Sequence, residues 1–114
     1  MTVSRLWLWL PAVFWAMVIF AFSSIPNLGT GLGTWDLVLR KLAHATEFAI
    51  LAILIERAVR RPAVALAAAS AYAVTDELHQ SLVPGRHAAP RDWAIDTAGA
   101  VIGLVLLRAW RKRR

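Results

Sequence analysis

The sequence predicts an all-α protein, an integral membrane four-helix bundle that forms one domain over residues 1–114. Hydrophobic residues make up 59% of the chain and charged residues only 18%, whereas soluble domains are about 45–50% apolar. The mean hydropathy is +0.56. The apolar residues also fall into four segments, and each approaches the ~20 residues of a bilayer helix when its interfacial ends are counted.

The first predicted helix covers residues 6–22, LWLWLPAVFWAMVIFAF, and carries no charge. A loop with Pro26, Asn27 and Gly29 follows it and breaks the helical pattern. The alternative is a cleaved signal peptide, because Ala21-Phe22-Ser23 loosely fits a cleavage site. The apolar run is longer than a usual signal core and only Arg5 precedes it, so we expect a retained helix.

The second predicted helix, residues 37–56, places His44 and Glu47 within an otherwise apolar stretch. An ionisable side chain in a membrane-length helix is costly, which makes these two residues functional candidates. The third helix, residues 63–80, ends in the polar run DELHQ. The fourth, residues 91–110, contains Gly99 and Gly103 as a GxxxG pattern, from which we expect close helix packing.

Basic residues predict the orientation, since cytoplasmic loops of membrane proteins are enriched in lysine and arginine. Four alternating helices place both termini on one side, and nine basic residues lie on that side against four on the other. Both termini are therefore predicted to be cytoplasmic. The larger group is Arg5, Arg57, Arg60, Arg61, Arg108, Arg111, Lys112, Arg113 and Arg114, and the smaller group is Arg40, Lys41, Arg86 and Arg91.

Acidic residues and histidines show the opposite asymmetry, because all except Glu56 lie toward the outer half. The first and third helices end there, and the second and fourth begin there. We therefore expect one outward-facing polar pocket, while the cytoplasmic face offers only solvated arginines. The residues predicted for the outward-facing pocket are Ser23, Ser24, Lys41, His44, Glu47, Asp76, Glu77, His79, Gln80, Arg86, Asp92 and Asp96.

Three motifs carry a resemblance to a known family. They are Ser23-Ser24-Ile25-Pro26, the pattern Lys41-x-x-His44-x-x-Glu47-Phe48, and the run DELHQSLVPGRHAAPRDWAIDTAGAVIG from Asp76 to Gly103. Together they resemble the VanZ-like family of small bacterial membrane proteins over nearly the whole chain. The chain departs from the family at Phe48, where tyrosine is usual, and at Ala89, where a small polar residue is common.

The resemblance implies placement at the bacterial cell envelope, in the plasma membrane. The family is named for a protein encoded with a glycopeptide-resistance cluster and associated with reduced susceptibility to teicoplanin. Its biochemical activity is not established, so the resemblance assigns no catalytic residue. Any role of the hydroxyl group of the family's usual tyrosine does not apply to this chain, because Phe48 has no hydroxyl.

The residues themselves suggest two roles for the polar pocket. In an enzyme, Glu77 or Asp76 would act as base, and His79 or His44 as acid or orienting group. The predicted ligand-binding residues are Lys41, Glu47, Gln80, Arg86, Asp92 and Asp96. The structural alternative is that the same groups cap helix ends, pair with Arg86 or Arg91 and fix helix register.

A metal site could be assembled from His44, His79 and one carboxylate. We expect none, because the ligands would come from different helices and Lys41 and Arg86 add competing positive charge. No cofactor is expected. The chain has a net charge of +6 but its basic residues cluster at segment ends, which favours membrane headgroups over nucleic acid.

These observations predict an accessory envelope protein that binds or modifies a lipid-linked or peptidoglycan-related ligand at the outer leaflet. The forked guanidinium groups of Arg86 and Arg91 are suited to bind an anionic headgroup or a diphosphate. Whether the protein is an enzyme stays open, as does a homo-oligomer that would enclose the polar residues. The alternative is a non-catalytic structural or partner-binding membrane protein.

Overall fold

The computed structural model describes residues 3–24, 34–83 and 90–113. This part of the chain is helical and contains no strand. It forms four helices: α1 (Val3–Ser23), α2 (Thr34–Val59), α3 (Pro62–Gln80) and α4 (Pro90–Arg113). The all-α, four-helix prediction is confirmed.

The helices extend past the predicted apolar segments at most of their ends. Backbone hydrogen bonding does not stop where the side chains become polar, so hydropathy underestimates helix length. Prolines mark two of the starts, because Pro62 and Pro90 each occupy the first helical position. Proline suits that position, since its fixed φ is helical and its missing N–H would have no partner within the helix.

Helix α2 is central and packs against α1, α3 and α4, whereas α1 and α4 do not touch within the described residues. Helices α2 and α4 run parallel and approach closely at two glycines. A Cβ on Gly99 would overlap the Ala45 carbonyl, and one on Gly103 would lie 2.6 Å from the Ala49 oxygen. The GxxxG prediction of close packing is therefore confirmed.

Small residues also dominate the inward side of α3, where Ala65, Ala69 and Ala73 are fully buried. They recur every four residues, which places them on one face of the helix. Larger side chains fill the space that they leave, chiefly Phe48 and Leu51 of α2. The helices therefore pack with their backbones close together around a small apolar core.

Helix α1 is attached through polar contacts as well as apolar packing. The Trp15 indole N–H donates to the Glu47 carbonyl of α2 over 2.9 Å. The Tyr72 hydroxyl of α3 donates to the Ala16 carbonyl. Both acceptors are main-chain oxygens, so these contacts depend on the position of the helix rather than on the acceptor's side chain.

Large apolar side chains cover much of the outer surface. Trp7, Phe14 and Met17 of α1 are each 65% exposed, and Leu106 of α4 is 62% exposed. Among the described residues, one helical segment, Asp92–Arg113, is long and apolar enough to cross a membrane, and Leu6–Phe22 is a shorter apolar helix. Helices α2 and α3 carry charged side chains within their length.

Candidate functional site

The polar end of the bundle is where α1 and α3 end and α2 and α4 begin. Four side chains meet there and are called the His44 cluster: His44 from α2, Asp76 and Gln80 from α3, and Asp96 from α4. Asp76 and Gln80 lie four residues apart and therefore share one face of α3. The structure thus brings together four of the residues predicted for the pocket, and these come from three of the four helix ends that were expected to contribute.

The imidazole of His44 lies between the two carboxylates. Its Nδ1 is 3.4 Å from Asp96 Oδ1 and 3.9 Å from Asp76 Oδ2. The Gln80 amide nitrogen lies 2.9 Å from Asp76 Oδ2 and 3.1 Å from His44 Nε2. One residue on each of α2 and α4, and two on α3, are therefore joined by short polar contacts.

The contacts around Gln80 are compatible with a neutral His44. The amide has two N–H groups, so it can donate to Asp76 Oδ2 and to an unprotonated Nε2 together. The remaining ring proton then lies on Nδ1, directed to Asp96 Oδ1. In this arrangement the imidazole is neutral and holds α2 against α4.

Both carboxylates are deeply buried, because the Asp76 side chain is 0% exposed and that of Asp96 is 2% exposed. Each keeps one buried oxygen, Asp76 Oδ1 and Asp96 Oδ2, with no hydrogen-bond partner among the described residues. A buried polar atom without a partner carries a free-energy cost. These two oxygens are therefore acceptors available to a further group.

One turn toward the start of α2, Lys41 forms an ion pair with Asp92 of α4. Both side chains are partly exposed, at 31% and 22%. Lys41 and His44 are three residues apart, and Asp92 and Asp96 are four apart, so each pair spans about one helical turn. Two successive turns of α2 therefore pair with two successive turns of α4. This ion pair lies at the rim of the His44 cluster.

His79, also predicted for the pocket, belongs to a different group of contacts. Its Nε2 lies 2.8 Å from the Ser24 hydroxyl, and its ring stacks on Phe20 with centroids 4.1 Å apart. The structure therefore splits the predicted catalytic set, placing His44 and Asp76 together and His79 against α1. Glu77 is buried and Glu47 half-buried at the same end.

Some predicted residues cannot be placed in the site. Arg86 lies outside the described residues, and so do the side chains of Ser23 and Arg91. Phe48, the departure from the family pattern, is fully buried with its ring centroid 6.2 Å from that of His44. It closes the inner side of the His44 cluster with an apolar ring.

The opposite end, called the arginine end, holds an ion pair between a buried carboxylate and a partly exposed arginine that the sequence did not predict. Glu56 is 3% exposed and its carboxylate lies 2.6 Å from the Arg111 guanidinium. The expectation that this face offers only solvated arginines is therefore wrong. A cavity of about 450 Å³ adjoins the pair, lined by Glu56, Arg60, Pro62, Leu104, Leu107, Arg108, Arg111 and Lys112. The signal available in the sequence was that Glu56 is the one acidic residue in that half.

The fold and the site together define a small all-helical protein with an apolar exterior and a polar cluster buried between three helices. A family model described as VanZ/LLP1 matches residues 5–111. The chain belongs to this family, as the motif resemblance predicted. No curated protein and no solved structure shows significant similarity to the chain.

Proposed function

We propose that the chain is a multi-pass plasma-membrane protein that uses its polar end to bind a lipid-linked cell-envelope ligand. In this arrangement all four helices span the bilayer, both termini are cytoplasmic, and the polar end faces the outer leaflet. The observation that carries the proposal is the His44 cluster, in which two buried carboxylates each keep an oxygen without a partner among the described residues.

The exposed apolar surface supports the membrane placement. Soluble monomers rarely expose contiguous apolar patches larger than a few hundred Å², yet α1 alone exposes large apolar side chains along its whole length, from Leu6 to Phe22. The ionisable residues His44 of α2 and Asp76 of α3 face other helices instead. Apolar residues outside and paired polar residues inside are what a bilayer requires.

The chemistry of the polar end favours a ligand that carries both hydrogen-bond donors and negative charge. The free oxygens of Asp76 and Asp96 accept hydrogen bonds from sugar hydroxyls or peptide amides. The ion pair of Lys41 with Asp92 lies at the rim, and we propose that Arg86 supplies positive charge to a phosphate. A lipid-linked or peptidoglycan-related headgroup combines these features, and the acyl or prenyl chain would lie along the apolar surface.

Binding and catalysis make different predictions for Glu77, which is buried at the same end. If the protein modifies its ligand, Glu77→Gln abolishes turnover and leaves binding intact. If it only binds, the same substitution weakens affinity and no product forms.

A second candidate is a non-catalytic structural or partner-binding role. The contacts of His44 with Gln80 and Asp96 join α2 to α3 and α4, as polar groups in membrane bundles often do. In that case the loss of either carboxylate lowers the amount of folded protein in the membrane, and it changes ligand binding only to that extent.

The test measures binding of purified protein in nanodiscs to a prenyl-diphosphate-linked peptidoglycan precursor, in comparison with prenyl monophosphate. We expect wild type to bind, His44→Ala and Asp96→Asn to lose binding, and Thr46→Ala, which is exposed on α2, to retain it. Equal binding by all four proteins would contradict the proposed site.

A cellular test addresses glycopeptides directly. Teicoplanin and vancomycin susceptibility is measured in a sensitive Gram-positive host that expresses wild type, His44→Ala, Glu77→Gln or Arg86→Ala at matched membrane levels. Selective teicoplanin protection that these variants lose would support a resistance role. No protection by well-expressed wild type would rule that role out and leave the envelope ligand to be sought elsewhere.

A further inference from the structure

We propose that His44, Asp76 and Asp96 form a binding site for a divalent transition-metal cation between α2, α3 and α4. One ligand atom from each of these side chains lies within 4.8 Å of the others. The inference deepens the proposed function, because it concerns the same cluster, but it does not depend on the identity of the lipid ligand.

The distances suit a shared cation. Ligand atoms bound at about 2.1 Å to one metal ion are about 3.0–4.2 Å apart in octahedral geometry. His44 Nδ1 lies 3.4 Å from Asp96 Oδ1 and 3.9 Å from Asp76 Oδ2. The two aspartate oxygens lie within 4.8 Å of each other, so the carboxylates would rotate toward one another to share the ion.

The charges of the cluster call for a positive ion. Two carboxylates are buried in contact with one imidazole, which is the sole basic side chain within ion-pair distance of either among the described residues. Buried charges in proteins are normally paired or bound to metal. The oxygens Asp76 Oδ1 and Asp96 Oδ2, which lack hydrogen bonds among the same residues, give each carboxylate a second donor atom for the ion.

The ligand set indicates the class of ion. One imidazole nitrogen with two carboxylates suits Mn²⁺ or Zn²⁺, and three protein ligands leave coordination positions for water or a ligand oxygen. Ligation through Nδ1 moves the ring proton of His44 to Nε2. Gln80 lies against Nε2. With its amide turned over it would present an oxygen to that proton and give up its hydrogen bond to Asp76 Oδ2, the oxygen that would then bind the ion.

A bound cation also removes a difficulty in the proposed function. Two buried carboxylates repel the phosphate of an anionic headgroup, whereas a cation held by them attracts it through its open positions. The metal would therefore join the acidic cluster to the headgroup, and the partner of the ion would be a phosphate oxygen.

The experiment uses full-length protein in detergent, purified without a polyhistidine tag and stripped of metal with EDTA. No lipid ligand is added. Mn²⁺ binding is followed by the loss of the free-ion EPR signal, and Zn²⁺ binding by competition. Wild type is expected to bind about one equivalent. His44→Ala and Asp96→Asn are expected to bind at least about 100-fold more weakly.

The matched control is Glu56→Gln, which also removes a buried carboxylate but at the arginine end, and it is expected to bind as wild type does. If Asp96→Asn does not fold, Asp96→Glu keeps the charge and should shift the visible spectrum of bound Co²⁺ relative to wild type. Wild type that takes up neither ion, or Asp96→Asn that binds like wild type, overturns the metal site. A metal-binding protein that fails to bind the lipid precursor would instead contradict the proposed function alone.

Discussion

Both ends of the bundle bury carboxylates, but they compensate the charge in different ways. At the arginine end, Glu56 is 3% exposed and meets the guanidinium of Arg111. At the polar end, Asp76 and Asp96 share the imidazole of His44, and each keeps an oxygen without a hydrogen bond among the described residues. At the arginine end one buried carboxylate faces one guanidinium, whereas at the polar end two buried carboxylates share one imidazole among the described residues.

We propose that the difference separates a structural ion pair from a functional site. When a buried carboxylate pairs with arginine, the free-energy cost of burying its charge is offset within the fold. Such a pair needs no ligand. Two carboxylates around one imidazole leave a cost that the described fold does not offset. Natural proteins accept such local costs mainly where they bind or react with something.

The largest expected effect comes from forcing α2 and α4 apart, because these two helices contribute residues to both ends of the bundle. Gly99→Leu places a side chain where even a Cβ would overlap the Ala45 carbonyl. It should destabilise the fold by about 3 kcal/mol or more, the upper part of the range for overpacking. The measurement is SDS-induced unfolding followed by tryptophan fluorescence. Ala98→Leu, at an exposed neighbouring position of α4, is the control and should unfold like wild type.

The next effect concerns the arginine end alone. Arg111→Met leaves the carboxylate of Glu56 buried without its guanidinium, which should cost about 2–3 kcal/mol of unfolding free energy. Arg113→Met changes an exposed arginine of the same turn and should have little effect. A wild-type stability for Arg111→Met would show that the ion pair does not hold this end together.

The polar end should respond in the opposite way. Asp96→Asn removes one of two neighbouring buried charges, so in EDTA it should leave the unfolding free energy unchanged or raise it by up to about 1 kcal/mol. The same titration of Arg111→Met provides the comparison. A loss as large as that of Arg111→Met would assign the His44 cluster a structural role.

The smallest effect lies at the turn between α2 and α3. Arg60 has a φ of 61°, a left-handed conformation that favours glycine. Arg60→Gly should therefore stabilise the protein by about 0.5–1 kcal/mol. Arg57→Gly, within the exposed part of α2, should destabilise it by about 1 kcal/mol. Equal effects of the two glycines would show that the backbone at Arg60 is not strained.

The helices and their closest contact could be read from the sequence because both depend on local patterns. Apolar segments between proline and glycine breaks predict the four helices, and the spacing of Gly99 and Gly103 predicts close packing. The helix ends could not be placed, since polar residues continue a helix as readily as apolar ones. The parallel contact of α2 with α4 could not be predicted either, because it arises from packing between segments that are distant in the sequence.

The four members of the His44 cluster are among the residues predicted for the pocket, but their pairings were not predicted. Spacing puts Asp76 over both His79 and Gln80, yet only Gln80 contacts Asp76, because His79 stacks on Phe20 of α1. The pairs of His44 with Asp96 and of Lys41 with Asp92 depend on the relative register of two helices. Periodicity defines the face of each helix and gives no information on that register.

The most direct test of the account measures unfolding of wild type, Arg111→Met and Asp96→Asn with and without Mn²⁺. Mn²⁺ is expected to stabilise wild type and Arg111→Met and to have no effect on Asp96→Asn. In EDTA, only Arg111→Met is expected to be destabilised. If Mn²⁺ stabilises none of the three, and Asp96→Asn is as unstable as Arg111→Met, both ends are structural and the functional account of the His44 cluster is contradicted.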